Sequence, residues 1–329
     1  MAQGGVNIFY IINIMTFSLN DKHILVNYHY VENPNDKNSG THPCSVEEFE
    51  KHIGFLSKHY KPASISGVFD EAQKNSSEKY YSITFDDGLK SQYKNAVPIL
   101  EKYGAHGTFF PIGVTSEGKI PTTHKIHILL SFISSDEFID FSNKFLKNQF
   151  SENSSKYFIS KDRRISSDRR LYEDIPTANL KETFVSLPSN VLEELVNSYF
   201  ETLNLDEKEC CHNLFINEDE IKSLEARGFS IGNHTYHHHT VNTLSREALK
   251  KDIKKAQSYF VGIVSRPQVV FCYPHGVVID EAVKIVRDFG FTNAVTVEMK
   301  GVTSGDDPFR IPRYDRVNIR DFLKINVTV

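Results

Sequence analysis

The stretch ITFDDG at residues 83–88, together with HTYHHH at residues 234–239, decides how this chain is interpreted. An apolar run that ends in two adjacent carboxylates and a glycine predicts a strand that stops at a polar site. The second stretch contains a His-x-x-x-His pair, whose imidazoles lie about one helical turn apart and can reach one ion. Two histidines and one carboxylate form a known catalytic zinc set with a coordination position open for water. Together the stretches predict a metal-dependent hydrolase, with one aspartate left to act as a base beside that water.

The composition is ordinary for a soluble globular protein. The chain has 329 residues, 40% of them hydrophobic and 24% charged, which suits one large domain or two small ones. A net charge of −4 gives no attraction toward nucleic acid or anionic membranes, so we expect no nucleic-acid partner. The four cysteines form neither a disulfide framework nor a CxxC site, which favours a reducing compartment, the cytoplasm; the alternative is a peripheral-membrane or exported protein. The sequence does not indicate an oligomeric state.

The N-terminus carries a short apolar stretch, IFYII at residues 8–12. It lacks a basic segment before it and a cleavage site after it, and it is too short to span a bilayer. We therefore interpret residues 1–20 as an N-terminal extension, with Met15 as an alternative start, and predict no transmembrane segment. The alternative is a signal anchor.

Strand and helix signals alternate through most of the chain, which predicts βα units around a mostly parallel sheet or barrel. The predicted strands cover residues 23–30, 80–85, 108–112, 268–273, 292–297 and 310–317. Ser45, followed by Glu48, and Asn217 have the pattern of helix N-caps. With a short strand before the histidine stretch, about seven strands favour a barrel over an open sheet.

Residues 116–215 depart from this alternation. Helical periodicity occurs at residues 126–133, 138–150 and 191–203, and the polar run at 151–183 is too long for a simple loop. We predict a largely helical insertion at about 116–215, which interrupts a barrel domain covering 21–329.

Three polar motifs follow predicted strands: residues 86–88, residues 234–239, and YPHG at residues 273–276. Because the loops at the C-terminal ends of barrel strands converge, the three motifs are predicted to share one rim. Taken alone, Asp-Gly is a common turn and a histidine-rich stretch can be a surface loop. Spacing leaves the second histidine ligand open among positions 237–239.

These motifs resemble those of the polysaccharide deacetylases of the NodB-homology group, carbohydrate esterase family 4. TFDDG at residues 84–88 and GNHTYHH at 232–238 are similar to the first two motifs of that family, and FCYPHG at 271–276 is similar to a variant of the third. The similarity covers roughly residues 20–115 and 215–320 and leaves out the insertion.

The resemblance implies a distorted (β/α)7 barrel with a divalent metal ion, Zn²⁺ first, held by Asp87, His234 and His238. It implies Asp86 as the general base for the water that attacks the acetamide carbonyl, and a backbone N–H near His275 as a donor to the oxyanion. The implied substrate is an N-acetylated sugar of a cell-surface polysaccharide, free or linked to a nucleotide or lipid carrier.

The chain departs from the family's usual third motif. Cys272 stands where an arginine usually opens it, and His275 stands where a tyrosine is typical. Arg313, in RIPR at residues 310–313, is our candidate to orient Asp86 instead; the alternative is an ordinary surface arginine.

No histidine follows His275, so the family's usual C-terminal general-acid histidine is missing. His29, in NYHY at residues 27–30, resembles the Tyr-His element of deacetylases that act on poly-N-acetylglucosamine or surface polysaccharides. His29 is therefore our candidate acid, and a structural histidine is the alternative.

The insertion offers two further features. Its mixed-sign runs at residues 161–164 and 168–170 favour a solvated face, with a clamp for the phosphate of a nucleotide- or lipid-linked sugar as the alternative. His124 and His127 have metal-like spacing but are predicted to pack against or cap the first helix.

Two other functions share the motifs. One is hydrolysis of a small non-sugar amide or imide on the same fold. The other is carbohydrate binding without turnover, which the missing arginine and acid histidine keep open.

Overall fold

A computed structural model of the chain describes residues 17–35, 40–150, 155–166 and 173–326. The apolar stretch at residues 8–12, Met15 and the charged run at 168–170 lie outside the described residues. Within the part that is described, no helix is long and apolar enough to cross a membrane.

Parallel strands organise the fold. They are β1 (His23–Tyr28), β2 (Lys61–Pro62), β3 (Tyr80–Asp87), β4 (Gly107–Pro111), β5 (Ser230–Ile231), β6 (Val270–Cys272), β7 (Asn293–Val295) and β8 (Tyr314–Asp315). One sheet has the order β5-β4-β3-β1-β8, with β2 also paired to β3, and a second sheet pairs β6 with β7. The central strands β1 and β4 are buried along their whole length, as expected where helices cover a parallel sheet.

The predicted α/β class with a parallel sheet is confirmed, but a continuous closed barrel is not. Single parallel bridges join the two sheets on both sides, Asn233 to Phe271 and Val295 to Ile311. Among the described residues these contacts do not extend into full strand pairing, so the ring of strands stays interrupted at both junctions.

Helices connect the strands on the outside. They are α1 (Val46–His59), α2 (Ile65–Gln73), α3 (Val97–Tyr103), α9 (Glu218–Ala226), α10 (Arg246–Val261), α11 (Asp280–Asp288) and α12 (Arg316–Asn326), and the insertion contributes α4 (Thr122–Phe132), α5 (Ser135–Phe150), α6 (Ile175–Ser186), α7 (Ser189–Phe200) and α8 (Glu207–Leu214). The predicted caps are confirmed: the Ser45 side chain accepts a hydrogen bond from the Glu48 N–H, and Asn217 forms a reciprocal capping box with Glu220.

Residues 122–214 are largely helical, and they contain more helix than their sequence pattern indicates. Most of helix α6 lies in the polar run at residues 151–183, where no helical periodicity was identified, and α8 was not among the predicted helical segments. The buried face of α6 includes the polar side chains Asn179, Lys181 and Thr183. Because polar residues are buried there, the helix lacks the apolar periodicity by which helices are recognised.

The predicted last strand at residues 310–317 is wrong in its extent. Only Tyr314–Asp315 pairs with β1, and α12 begins at Arg316. The Asp315 carboxylate accepts a hydrogen bond from the Val317 N–H at 2.9 Å, and Asn318 Oδ1 accepts one from the Asp315 N–H at 2.9 Å. These side chains satisfy the first free N–H groups of a helix, so they end the strand.

Candidate metal centre

Both aspartates of the candidate site lie at the C-terminal end of β3. Asp86 and Asp87 pair in register with Phe110 and Pro111 of β4, and both carboxylates are buried. The chain turns sharply there, because Asp87 has φ 75° and Gly88 has φ 69°. A Cβ on Gly88 would lie 2.7 Å from the Cα of Pro111, so only glycine fits at that position.

The histidine pair comes from a loop after β5, not from a helix. Thr235 (φ 64°) and His238 (φ 62°) have left-handed backbone conformations, which side chains other than glycine rarely adopt. The Thr235 hydroxyl accepts a hydrogen bond from the His238 N–H at 3.0 Å, and the Asp252 carboxylate accepts one from the Tyr236 N–H at 3.0 Å. The hydrogen bonds of this loop therefore bring the two imidazoles together, whereas the prediction from their spacing assumed a helical turn.

Asp87, His234 and His238 present their ligand atoms to one point. The His234 and His238 Nε2 atoms lie 3.1 Å apart, and they lie 3.5 and 3.4 Å from Asp87 Oδ1. A tetrahedral ion with ligand bonds of 2.0–2.1 Å requires ligand atoms about 3.3 Å apart. All three side chains are buried, so the residues fit a zinc-like ion without rearrangement.

The electrostatics of Asp87 and His238 suit a cation, whereas the burial of His234 is outweighed by Cys272 and Asp87, which raise its pKa, so that ring must release a proton when it binds the ion. Burial alone would raise the pKa of Asp87, but the imidazoles of His124, His234 and His238 hold it well below its usual value. Burial and the neighbouring His234 lower the pKa of His238, so this ring is neutral at physiological pH. An ionised carboxylate and a neutral imidazole are the forms that bind metal.

Arg313 forms a bidentate ion pair with the Asp86 carboxylate. Its Nη1 and Nη2 lie 2.7 and 2.9 Å from the two carboxylate oxygens, and the arginine is only 1% exposed, so it is not a surface arginine. Asn27 Nδ2 donates a further hydrogen bond to Asp86 Oδ2 at 3.1 Å. Burial would raise the pKa of Asp86, but Arg313 outweighs it and lowers that pKa. Asp86 is therefore ionised and fixed in orientation.

A second group of potential ligands, Asp86, His234 and Cys272, lies alongside. The Arg313 Nη2 atom lies 3.4 Å from Cys272 Sγ, so a guanidinium already occupies this side of Asp86. A cation there would be repelled. His234 also turns its Nδ1 toward the Cys272 carbonyl at 2.8 Å, which leaves Nε2 for the first group.

The other predicted residues border the same site. His29 Nε2 lies 3.9 Å from Asp86 Oδ2, and the His29 side chain is 45% exposed. Buried Gln92 ties the two segments together, because its Nε2 donates to the His29 carbonyl at 3.0 Å and to the Asp86 carbonyl at 2.6 Å. The ring of His275 lies 4.6 Å from that of His238, and its backbone is left-handed (φ 57°).

His124 is the site residue that the sequence prediction missed. It was expected to pack against or cap α4, yet its Nε2 lies 3.2 Å from Asp87 Oδ2 and its side chain is fully buried. His127, the other half of that pair, instead contacts the Tyr30 hydroxyl at 3.0 Å. Two cations of the run at residues 161–164 pair within the insertion: Lys161 with Asp140, and Arg164 with the Glu173 carbonyl.

Comparison with known proteins identifies the family of the chain. The family model for polysaccharide deacetylase matches residues 73–127 and 167–294, more than half of the chain. The poly-β-1,6-N-acetyl-D-glucosamine N-deacetylase of Staphylococcus epidermidis is 32% identical over 69 residues, a match that covers 21% of this chain and 24% of that protein. The chain thus matches about a quarter of that relative's length.

Two solved structures have a similar fold. The Streptococcus pyogenes deacetylase PplD, solved in complex with acetate, has a TM-score of 0.57 at 14% identity, over 91% of this chain and 97% of that one. IcaB from Ammonifex degensii has a TM-score of 0.54 at 16% identity, over 89% and 91%. With the family match, these findings place the protein: the chain belongs to the polysaccharide deacetylase family.

Proposed function

We propose that this protein is a metal-dependent hydrolase that removes the N-acetyl group from an N-acetylated sugar of a cell-surface polysaccharide. The observation that carries the proposal is the spacing of Asp87, His234 and His238, whose ligand atoms lie 3.1–3.5 Å apart in a buried site. These three side chains would hold the ion, for which Zn²⁺ is the first candidate. When bound, such an ion lowers the pKa of a coordinated water and polarises the carbonyl that the water attacks.

Asp86 is the general base in this proposal. Its low pKa makes it a weak base by itself, so it can accept a proton only from a water that is already activated. The guanidinium fork of Arg313 fixes the carboxylate, which leaves its remaining lone pairs in a defined direction. A fixed carboxylate accepts the proton without the cost of reorienting during the reaction.

His29 is the proposed general acid. It lies on the open side of Asp86 and is about half exposed, where a substrate can reach it. Water oxygen bonds to the acetyl carbon, the carbon–nitrogen bond breaks, and the departing amine takes a proton from His29. The products are acetate and the free amino sugar. A backbone N–H beside His275 is the proposed donor to the developing oxyanion.

The N-acetylhexosamine class is favoured because the matched relative is named for poly-β-1,6-N-acetyl-D-glucosamine. The assay is acetate release by the zinc-loaded protein from N-acetylglucosamine oligomers, nucleotide-linked sugars and lipid-linked sugars. Asp86→Asn is expected to keep the ion and lose about 10²–10⁴-fold in rate, whereas Asp288→Asn, on the exposed end of α11, is the matched control. No acetate from any of these substrates would favour a small-amide hydrolase or a binding protein instead.

We also propose the cytoplasm as the place of action. All four cysteines are free thiols, and three of them are buried. Free cysteines are usual in a reducing compartment. Cell fractionation with an antibody against the chain tests this, and recovery outside the cytoplasm contradicts it.

A further inference from the structure

His124, at the start of the helical insertion, touches the candidate metal centre from outside its ligand set. Its Nε2 lies 3.2 Å from Asp87 Oδ2, while His234 and His238 approach the other oxygen, Oδ1. Apart from this approach of Nε2 to Oδ2, which is not a hydrogen bond of regular geometry, neither ring nitrogen of His124 has a hydrogen-bond partner within the described residues. A fully buried imidazole without such a bond is unusual and indicates a role beyond packing.

His124 is not itself a ligand of the proposed ion. Among the described residues, no set of three ligand atoms within 4.8 Å of one another includes it, whereas Asp87, His234 and His238 form such a set. We therefore propose that His124 is a positioning residue, which holds the outer oxygen of Asp87 so that the inner oxygen faces the ion. This inference rests on the proposed metal centre and makes the insertion part of it.

The fold brings the insertion to Asp87 from both of its ends. Helix α4 begins after Pro121, whose carbonyl accepts a hydrogen bond from the His124 N–H at 2.8 Å, so His124 lies in the first turn of the helix. At the exit of the insertion, the Ile216 N–H donates to the Gly88 carbonyl at 3.0 Å. Phe215 packs edge-on against His124, with ring centroids 4.9 Å apart. The Asp87–Gly88 turn thus contacts the start of α4 on one side and the residue that follows the insertion on the other.

Such a contact has a defined chemical effect. His234 and His238 approach only Oδ1 of Asp87, so a partner on Oδ2 fixes the orientation of the carboxylate. A donor on the outer oxygen keeps the carboxylate monodentate, and the loss of such a partner costs about 10- to 100-fold in metal affinity. The ligand atoms themselves are unchanged, so binding weakens but is not abolished.

The test compares three variants of the full chain by zinc affinity, measured in competition with a chromogenic chelator, and by the visible spectrum of the Co²⁺ form. His124→Leu removes the donor, His124→Gln retains one, and His127→Leu alters packing one turn further along α4 without reaching Asp87. We expect His124→Leu to bind zinc about 10- to 100-fold more weakly with a changed Co²⁺ spectrum. His124→Gln and His127→Leu should stay close to the unmodified protein. If His124→Leu does not fold, His124→Asn, whose amide is too short to reach Asp87, takes its place with the same expectation.

The outcomes separate the inference from the proposed function. Unchanged zinc affinity and an unchanged Co²⁺ spectrum in His124→Leu overturn the positioning role while the metal centre stands. Equal weakening in His127→Leu also overturns it, because the effect is then one of packing. If the unmodified protein binds no zinc, the metal centre fails, and the role of His124 fails with it.

Discussion

Replacing Arg313 with methionine tests how the base is held. Arg313 is buried and donates to both oxygens of Asp86, and also to the Thr296 carbonyl at 2.8 Å and the Asn27 side chain at 3.0 Å. Removal of one partner of a buried ion pair leaves an uncompensated charge and costs about 3–5 kcal/mol in the free energy of unfolding. We expect Arg313→Met to lose that much stability in urea denaturation.

The same variant should change the pH dependence of the reaction. Arg313 lowers the pKa of Asp86, so the carboxylate stays ionised, and contributes stability, until the pH falls through that lowered pKa. Without the guanidinium, the burial of the carboxylate dominates and raises the pKa of Asp86. The acidic limb of kcat/KM for acetate release should therefore move to higher pH. Arg313→Lys, which keeps the charge but loses the fork, should lie between the two.

A double-mutant cycle and a rescue decide whether the pair is responsible. In the Asp86→Asn background, Arg313→Met should cost less stability, with a coupling energy of about 2–3 kcal/mol, because the unpaired charge is gone. Cys272 Sγ lies 3.4 Å from both Asp86 Oδ1 and Arg313 Nη2, so Cys272→Arg should restore part of the stability of Arg313→Met. Additive losses with an unmoved acidic limb would refute the reasoning.

Three further predictions follow from other parts of the site. His29→Ala should slow acetamide hydrolysis by about 10²–10⁴-fold. It should slow the hydrolysis of an aryl acetate ester much less, because a phenolate leaves without protonation by an acid. Equal losses of rate on both substrates would indicate that His29 has a structural role. Gly88→Ala should lower the free energy of unfolding by at least about 2 kcal/mol, since its Cβ would lie 2.7 Å from Pro111. The control in the same urea titration is Gly305→Ala, whose Cβ would have no atom within 4 Å. Removing the ion with a chelator should lower the melting temperature. The lost free energy of unfolding is about 2.7 kcal/mol when the initial metal concentration is 100 times its Kd. An unchanged melting temperature would argue against the proposed centre.

Local signals explain why much of the fold could be predicted. The N-caps at Ser45 and Asn217 depend on a side chain and a neighbouring N–H, so a few residues of sequence determine them. The two aspartates end an apolar strand, and the structure places them at the end of β3. Helix α6 escaped prediction for the opposite reason: its Lys181 forms a buried ion pair with Glu173, which no periodic pattern indicates.

His124 shows where sequence reasoning about the site ends. Its spacing from His127 is typical of metal ligands, yet one ring contacts Asp87 and the other contacts Tyr30. The two rings reach different partners because α4 enters the site from the insertion, and the sequence alone does not fix the docking of an insertion on a distant strand. Only the three-dimensional arrangement distinguishes a histidine that positions a ligand from one that packs.

The arrangement of the strands explains how Arg313 can contact Asp86 although position 272, where the family usually has an arginine, is a cysteine in this chain. Cys272 pairs in register with Val295 of β7, and Val295 bridges in parallel to Ile311, two residues before Arg313. Positions 272 and 313 are therefore close in space although they are 41 residues apart in the chain. A guanidinium from either position can reach Asp86, and the small thiol at 272 leaves room for the longer side chain from 313. The structure thus supplies a buried positive charge beside Asp86 from position 313, and Cys272 at the usual arginine position is compatible with the proposed role of Asp86 as base.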